Sequence, residues 1–343
     1  YGTPTRTSLL DHVHPQQRIN LTKDGKTVRG RNCNKKKKIL ELWSNSADGG
    51  CSVILNGQAG IGKSKLTYEI KKEIQLQGIK VKECRCLPEQ QNNALYPFLE
   101  LLRNILGINS LKNNSDIITR IEEALKVANC QEKDSLPLLC SWLSIPLPSD
   151  RTIHLISPLE QKKILFATLK RCLFEIEKQE QFLFVLEDLH WLDLTSLEFI
   201  EYLLFDIENN NYMLLMTSRP SFNNTWNNKH LIQIDILPLP QQAVQLILQE
   251  ILNNKPVSDE TLKYIVKKAD GIPLYTEELI TMLIEQDYLE QKNDIYNIKP
   301  DIDELIPTTL QDLLNARLDG LGIVKETAQQ AAAIGREFSY ELL

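Results

Sequence analysis

One run of the sequence has the residue types and spacing of a phosphate-binding loop, and it lies between Gly57 and Ser64. It matches the pattern GxxxxGK[ST] without a mismatch. Its glycines let the backbone curl so that successive N–H groups face inward, and the helix that follows adds partial positive charge there. Lys63 is expected to reach the β- and γ-phosphates of a nucleotide, and Ser64 to place its hydroxyl on Mg²⁺. The residues predicted to bind the phosphates are Gly57, Gln58, Ala59, Gly60, Ile61, Gly62, Lys63, Ser64 and Lys65.

A pair of carboxylates, Glu187 and Asp188, follows a charge-free apolar run. A parallel strand presents its ligand-binding groups at its C-terminal end, and Mg²⁺ takes oxygen ligands. We assign Glu187 to the metal and Asp188 to the attacking water, which it would orient or deprotonate, but the residue types leave that order open. A strand that simply ends in solvated acids is the alternative, and the presence of the phosphate loop argues against it.

Two further polar side chains follow predicted strands. Arg219 comes at the end of the strand after the acid pair, and its fork of donors suits contact with a γ-phosphate. The alternative is an ordinary loop arginine. His190 follows the acid pair closely and could polarise a water, although a packed histidine or a hinge residue fits the sequence as well. We therefore place Lys63, Glu187, Asp188 and Arg219 in the predicted catalytic set, with Ser64 and Glu187 as metal ligands.

Alternating strands and helices must position these residues. The predicted strands are 51–56, 79–86, 182–186, 212–217 and 231–237. The predicted helices are 35–43, 63–77, 194–207, 241–253, 258–268, 276–286, 308–321 and 324–334, with a mostly helical stretch at 94–180 and a short hairpin at 289–298. This order predicts a P-loop NTPase fold, an α/β three-layer sandwich with a mainly parallel sheet, followed by a helical domain.

Composition and charge narrow the functional classes. With 343 residues, 42% hydrophobic and 24% charged, the chain is typical of a globular protein with about two domains. The net charge of −6 argues against a general nucleic-acid binder, although residues 1–43 carry 10 basic and 3 acidic side chains. The stretch 135–149 is too short and too rich in proline to span a membrane. Seven irregularly spaced cysteines favour reduced thiols and a cytoplasmic location.

Several motifs together resemble one family. The run 184–193, FVLEDLHWLD, resembles the extended Walker B motif of the STAND-type signalling ATPases. More narrowly, the chain resembles the AAA-type, origin-recognition-like ATPase module of bacterial adenylate/guanylate cyclase-like and kinase-like regulators. The resemblance covers about 28–343. The other runs that carry it are 94–98, 270–279, 306–310, 316–321 and 333–339.

The resemblance implies ATP or ADP with Mg²⁺ as cofactors and slow ATP hydrolysis as the activity. It implies that Arg31 lies near the adenine, although Asn32 and Asn34 replace the acidic residues usual there. It also implies that Pro273 presses on the nucleotide from the helical domain, while a plain helix-starting turn is the alternative. The implied domains are a linker at 1–27, the ATPase domain at 28–240, a helical lid at 241–305 and a truncated winged-helix start at 306–343.

We expect a nucleotide-dependent switch in signal transduction. The resemblance implies that ADP keeps the domains closed and that ATP opens them. The alternative is a ring-forming ATPase acting on nucleic acid, which needs an arginine finger that the sequence does not identify. A small-molecule kinase and an inactive scaffold fit less well. The first and last residues suggest a fragment, with a cyclase or kinase domain expected before it and helical repeats after it. No cyclase chemistry is expected in this chain, and a nucleotide-dependent oligomer is compatible with the family.

Overall fold

The computed structural model divides the chain into two compact units. The larger consists of Asn34–Gln58 and Lys63–Ile236, and the smaller combines Ala59–Gly62 with the described residues from Leu237 onward. The predicted linker, 1–27, lies outside the described part of the chain. The residues whose structure is described are 29–47, 49–130, 132–148, 156–176, 181–223, 226, 228–292, 295–320, 322 and 324–334.

A five-stranded sheet forms the centre of the larger unit. Its strands are β1 (Cys51–Asn56), β2 (Val81–Arg85), β3 (Phe182–Glu187), β4 (Tyr212–Ser218) and β5 (Leu231–Asp235). The strand order is β2-β3-β4-β1-β5, and every pairing is parallel. Every residue of β3 and β4 is buried, which explains their nearly continuous apolar sequence. The predicted P-loop NTPase fold, with its mainly parallel sheet, is therefore confirmed.

Seven α-helices precede or connect these strands in the described chain. They are α1 (Arg29–Asn45), α2 (Lys63–Gln75), α3 (Tyr96–Leu106), α4 (Asn114–Val127), α5 (Ser135–Trp142), α6 (Pro158–Phe174) and α7 (Leu194–Phe205). In α2, Leu66, Ile70 and Ile74 recur every fourth residue and are fully buried or nearly so, as an amphipathic helix requires. The stretch predicted as mostly helical from 94 to 180 thus contains four separate helices, α3 to α6.

Aromatic side chains pack between α3, α6, α7 and the sheet. Phe98 contacts Phe199 edge-on, with ring centroids 4.8 Å apart. Phe174, the last residue of α6, lies 5.3 Å from Phe184 of β3 and 4.8 Å from Tyr212 of β4, again between centroids. Such pairs add to the burial energy of large side chains, so the strand that carries the acid pair is firmly held.

The smaller unit is mainly helical. It contains α8 (Gln241–Ile251), α9 (Asp259–Ala269), α10 (Pro273–Glu285), α11 (Leu310–Asp319) and α12 (Val324–Ile334), with a hairpin of β6 (Leu289–Lys292) and β7 (Ile295–Ile298). Its core includes Val244, Ile265, Leu279 and Leu313, each fully buried. Among the residues described, no helix has the length and apolar character that crossing a membrane demands.

Helix α10 begins three residues earlier than the predicted 276, at Pro273. Proline is well tolerated at the first helical position because its missing N–H would have no partner there. The boundary between the units falls at Ile236 and Leu237. The predicted domain boundaries near 240 and 305 remain predictions, as does the winged-helix start. The part of the last motif at 335–339 lies outside the described residues.

Candidate functional site

The strand register brings three predicted site segments to one edge of the sheet. In β1 and β4, Asn56 lies opposite Ser218, so the phosphate loop and Arg219 leave the sheet side by side. In β3 and β4, Leu186 lies opposite Met216, and Glu187 is the next residue of β3. The ends of β1, β4 and β3 therefore lie next to one another, as expected for a parallel sheet with a ligand site at its carboxyl edge.

The phosphate loop starts directly from this edge. The Gly57 N–H donates to the Ser218 carbonyl at 3.3 Å. Gly60 and Gly62 have φ angles of +74° and +103°, which favour glycine strongly over other residues. Helix α2 then begins at Lys63 and exposes Ser64 in its first turn. This places a hydroxyl and the free N–H groups of a helix start beside the loop.

The ammonium group of Lys63 is buried, with 8% of the residue exposed. Its Nζ donates to the carbonyl oxygens of Gly57 and Gln58 at 2.7 and 2.9 Å. Burial lowers the pKa of Lys63, and the positive charge of Arg219 lowers it further, while Asp188 and Glu187 raise it. The four residues of the predicted catalytic set are thus close enough to affect one another.

Glu187 is buried, with 4% of the residue exposed, and forms an ion pair with Arg85. Burial raises the pKa of the Glu187 carboxyl, and the charge and hydrogen bond of Arg85 oppose that rise. Arg85 is the last residue of β2 and lies opposite Glu187 in the register. Sequence reasoning missed this residue, although a cation at the end of the neighbouring strand is the signal that could have revealed it.

Asp188 has a left-handed backbone, with φ 64° and ψ 45°. Its N–H donates to the Thr217 hydroxyl at 2.9 Å, and Thr217 itself is almost fully buried. Its Oδ2 lies 3.9 Å from Nε of Arg85. A left-handed conformation is uncommon outside glycine, although aspartate tolerates it better than most residues. The Asp188 backbone is therefore held by Thr217 of β4, and its carboxylate lies near the same Arg85 that pairs with Glu187.

The side chain of Arg219 is exposed and lies over the ring of Trp191, 5.5 Å from its centroid. His190, next to Trp191, has no hydrogen-bond partner on either ring nitrogen among the described residues, and both atoms are buried. Burial lowers the pKa of His190, and Arg219 lowers it further. A buried polar ring without a partner usually costs about 1–3 kcal/mol. We conclude that a neutral imidazole borders the site.

Asp193, the last residue of the Walker B-like run, has a structural role. Its carboxylate accepts a hydrogen bond from the Ser196 N–H at 2.9 Å and so caps α7. It also accepts from the Leu95 N–H at 3.3 Å, which ties the start of α3 to the same turn. Asp193 therefore holds the segment that follows the acid pair.

Within the smaller unit, the loop tip contacts the start of α10. The Leu274 N–H donates to the Gly60 carbonyl at 3.3 Å. A Cβ added to Gly60 would lie 3.0 Å from atoms of both Leu274 and Leu310. Pro273 is the first residue of α10, so the helix-start interpretation describes its backbone, and a contact with nucleotide remains a prediction. Arg31 lies in α1, and its side chain is outside the described set.

Comparison with known families identifies the larger unit. A family model described as AAA ATPase domain matches residues 34–216. This match is more than half of the chain. The chain belongs to the AAA ATPase domain family. The predicted resemblance to an AAA-type module is thereby confirmed, and the matched region of the AAA ATPase domain includes the phosphate loop, Arg85 and the acid pair.

The curated relatives are distant and much longer. An uncharacterized protein of Rhizobium meliloti (strain 1021) is 23% identical over 318 residues, which cover 89% of this chain and 29% of that protein. Adenylate cyclase type 10 of Mus musculus is 22% identical over 343 residues, which cover 85% of this chain and 21% of the cyclase. The chain thus spans less than a third of the length of these relatives.

Solved structures with similar folds include Cdc6p from Pyrobaculum aerophilum, with a TM-score of 0.41, 13% identity, and coverage of 79% of this chain and 66% of Cdc6p. The match to a Signal Transduction ATPase with Numerous Domains (STAND) protein from Pyrococcus horikoshii has a TM-score of 0.35 and 12% identity. It covers 73% of this chain and 31% of the STAND protein. Both similarities are too low to inform function.

The site of the AAA ATPase domain fits a nucleotide with Mg²⁺. Positive-φ glycines and the start of α2 provide a cradle of N–H groups for phosphate, and Lys63 provides a charge. Ser64, Glu187 and Asp188 carry oxygen atoms of the hard type that Mg²⁺ prefers. Among the described residues, no group of three or more His, Cys, Asp or Glu could hold a metal ion. A magnesium ion that completes its ligands with phosphate oxygens and water needs no such group.

Proposed function

We propose that this chain is the ATPase switch domain of a larger signalling protein. In this proposal it binds ATP with Mg²⁺, hydrolyses it slowly, and changes the arrangement of its two units with the nucleotide state. Membership of the AAA ATPase family supports the nucleotide chemistry. The signalling role and the slow rate go beyond what membership of the family shows.

One observation carries the proposal: Glu187, Asp188 and Arg219 come at the ends of neighbouring strands, at the edge of the sheet where the loop leading to Lys63 begins. Two of these are cations and two are carboxylates, and the charges of the other three all affect the pKa of Lys63. They come from three separate segments of the sequence that only the strand register brings together. A structural role alone would not require a buried lysine at the first position of a helix.

Each site residue then has a defined task. The loop N–H groups and Lys63 would bind the phosphates, with Lys65 flanking them in the first turn of α2. Ser64 and Glu187 would hold Mg²⁺, which when bound neutralises the charge that develops on the phosphate oxygens. Asp188 would orient the attacking water or accept its proton. Arg219 would contact the γ-phosphate and so distinguish ATP from ADP.

The Arg85 ion pair supports a slow rate. Glu187 is held by Arg85 and cannot give the same oxygen to a metal ion at full strength. Rearrangement of this pair would have to precede efficient hydrolysis, and a slow step of that kind suits a switch better than a motor.

The position of the loop tip supports the coupling. Ala59–Gly62 belongs to the same compact unit as α10, and the Leu274 N–H donates to the Gly60 carbonyl. Phosphate binding would reorient the loop N–H groups, so the residues around Pro273 would respond to it. Coupling of this kind requires that the nucleotide make different contacts with the protein in the ATP-bound and ADP-bound states.

The wider setting is inferred from the relatives. Adenylate cyclase type 10 is several times longer than the matched region. We infer that this chain works beside other domains of the same protein, in the cytoplasm, and that its oligomeric state depends on nucleotide. Nothing in its own site corresponds to cyclase chemistry, and we do not assign that reaction to it.

The first test is the nucleotide that co-purifies with the protein. The purified chain is denatured and the released small molecules are identified by mass, and titration calorimetry then compares ATP and ADP with and without Mg²⁺. Released ADP or ATP, and heat on titration, are expected. Absence of both in folded protein would overturn the proposal.

A second test separates the switch from the nucleic-acid alternative. Two probes at the exposed positions Leu76 and Val324 report the distance between them as ADP is exchanged for a non-hydrolysable ATP analogue. A changed distance is expected, and an unchanged one contradicts the switch. Filter binding to duplex DNA across a range of salt concentrations should show no specific retention, since the net charge is −6. Strong retention would favour the alternative.

A further inference from the structure

The last residue of β1, Asn56, lies between the last residues of two neighbouring strands. In the strand register it is opposite Ser218 of β4 on one side and opposite Asp235 of β5 on the other. The next residue, Gly57, is the first of the phosphate loop. The contacts that hold Asn56 therefore set the point from which the loop leaves the sheet, and the ends of β4 and β5 are close enough to provide them.

Main-chain hydrogen bonds hold the peptide between Asn56 and Gly57 from both sides. The Asn56 carbonyl accepts from the Ile236 N–H at 2.7 Å, and the Gly57 N–H donates to the Ser218 carbonyl at 3.3 Å. The second distance is longer than is usual for an N–H···O bond. The side of this peptide that faces β4 is therefore the less firmly held, and further support of Asn56 has its effect there.

The side chain of Asn56 provides that support. Its Nδ2 donates to Asp235 Oδ1 at 3.1 Å, and its Oδ1 accepts from the Ser218 hydroxyl at 3.5 Å. An asparagine amide carries both donors and an acceptor, which is what a bridge between a carboxylate and a hydroxyl requires. One side chain thus connects the ends of β4 and β5 across the end of β1.

Asp235 is itself held by two further side chains. Its Oδ1 also accepts from Gln233 Nε2 at 3.0 Å. Its backbone carbonyl accepts from Nζ of Lys35, which lies in α1, at 2.6 Å. Gln233 and Asp235 are alternate residues of β5, so their side chains lie on the same face of the strand. The carboxylate is therefore oriented toward Asn56 without any ligand at the site.

Close packing does not fix the Asn56 side chain on this face of the sheet. A cavity of about 240 Å³ is lined by Asn56, Ser218, Gln233 and Phe222, among others. A side chain beside such a space can adopt other staggered rotamers unless its polar atoms are bonded. The hydrogen bonds from Asp235 and Ser218 therefore determine where the Asn56 amide lies.

We propose that Asp235 is a positioning residue for the phosphate loop. Its carboxylate orients the Asn56 amide, the amide holds the ends of β1 and β4 together, and the Gly57 N–H stays at the place where the loop begins. Asp235 acts through Asn56 and not on the phosphates themselves. The inference rests on the proposed function, since it takes the loop to bind phosphate, and it gives β5, which carries none of the predicted catalytic residues, a part in ATP binding.

The first experiment examines the loop without nucleotide. Amide hydrogen exchange of the nucleotide-free chain, followed by mass spectrometry, reports on the peptide that contains Gly57. Asp235→Ala removes the acceptor and should speed exchange there about three- to tenfold. Asp235→Asn keeps an oxygen in the place of Oδ1 and should exchange at the original rate. Unchanged exchange in Asp235→Ala would overturn the positioning role, whether or not the chain binds nucleotide.

The second experiment measures ATP binding and turnover. Asp235→Ala should raise the KM for ATP, and the calorimetric Kd, about three- to tenfold. The value of kcat should change much less, because the lost interaction supports binding in the ground state and the transition state alike. Asn56→Ala should have the same effect, and the double variant should be no worse than either single variant, because both changes remove one hydrogen bond. Additive losses would contradict the proposal.

Asp206 provides the matched control. Its carboxylate accepts from Asn209 Nδ2 at 2.6 Å, which is the same kind of contact, but it precedes β4 and so lies at the opposite edge of the sheet. Asp206→Ala should lower the melting temperature and leave the KM for ATP unchanged. An equal rise of KM in Asp206→Ala and Asp235→Ala would overturn the proposal, because a general loss of stability would explain both. If the unmodified chain binds neither ATP nor ADP while exchange responds as expected, the proposed function fails and the positioning of the loop stands.

Discussion

The two units bury different kinds of polar side chain. In the described part of the smaller unit, the buried polar residues are Thr261 and Thr276, and both hydroxyls have local partners. In the larger unit, charged side chains are buried as well: Lys63, Lys82, Asp134 and Glu187. Burial of a charge costs several kcal/mol unless it is well paired. The smaller unit is therefore built for packing, whereas the larger one retains charges that packing alone would remove.

A buried charge does not by itself mark a site. Lys82 donates to the Leu173 carbonyl and lies 5.1 Å from the centroid of the Phe182 ring, so the fold itself accounts for its position. Lys63 lies instead among carboxylates and a second cation that come from other strand ends. The convergence of unlike charges at the carboxyl edge of the sheet distinguishes the functional lysine from the structural one.

The largest effect is expected from replacing Lys63. Lys63→Ala should weaken ATP binding at least about a thousandfold, or ~4 kcal/mol, since charge-assisted contacts to phosphate contribute about 1.5–3 kcal/mol each. Calorimetric titration of ATP with Mg²⁺ measures this. Lys82→Met is the matched control, because it removes a buried lysine from β2 and should lower stability while leaving the affinity unchanged. Equal losses of affinity in both variants would show that loss of any buried lysine weakens ATP binding, whatever its position in the fold.

Changes to the acid pair should affect ATP hydrolysis more than ATP binding. Glu187→Gln and Asp188→Asn should each slow ATP hydrolysis about a hundredfold or more, since they remove a metal ligand or a proton acceptor. ATP affinity should change much less, and single-turnover assays beside equilibrium titrations distinguish the two. If both amide variants hydrolyse ATP at the original rate, the assignment of this pair is wrong. A larger loss of Mg²⁺ dependence in Glu187→Gln would support its place beside the metal.

The Arg85 ion pair should make stability depend on pH. Burial raises the pKa of Glu187 above its ordinary 4.5. The native state therefore holds this proton more tightly than the unfolded chain, so its contribution to the free energy of unfolding is full below about pH 4.5 and is lost as pH rises through the folded pKa. Arg85→Ala should raise that pKa further and cost about 2 kcal/mol at pH 7, as expected for loss of a hydrogen bond to a charged group.

Denaturant unfolding at a series of pH values measures this cost. The double variant Arg85→Ala with Glu187→Gln is the control, because it has no carboxyl to titrate and should lose the extra pH dependence. A cost of Arg85→Ala that is the same at pH 5 and at pH 8 would contradict the account.

The smallest effect, and the closest comparison between the units, comes from two threonines. Thr217 and Thr261 are both almost fully buried, and each hydroxyl accepts a backbone N–H at 2.9 Å, from Asp188 and Ile298 respectively. Each Thr→Val change leaves that N–H without its acceptor and should cost about 1–3 kcal/mol of stability. Only Thr217→Val should also slow hydrolysis, because only Thr217 holds the Asp188 backbone. Equal turnover in both variants would contradict this role.

The parts of the site that the sequence predicted are those encoded locally. The phosphate loop follows a buried strand and precedes a helix within one short segment, and β1, β3 and β4 were recognisable from their apolar runs. Arg85 and Thr217 depend instead on which strand lies beside which, because they act across the β2–β3 and β3–β4 pairings. Spacing along the chain carries no information about that order. The predicted start of α10 is three residues late because it follows the spacing of apolar residues alone, whereas Pro273 is a residue that favours the first helical position.

The backbone of Gly62 has a consequence for the handedness of the phosphate loop. Its φ is +103°, yet a Cβ built there would meet nothing within 4 Å. The position therefore excludes ordinary side chains through their chirality and not through crowding. A D-alanine introduced by chemical ligation would favour the same backbone conformation. By restricting the unfolded chain, it should stabilise the folded protein by about 0.4–1 kcal/mol. Mirror-image chemistry would thus stiffen the loop at a position where an L-residue is strained.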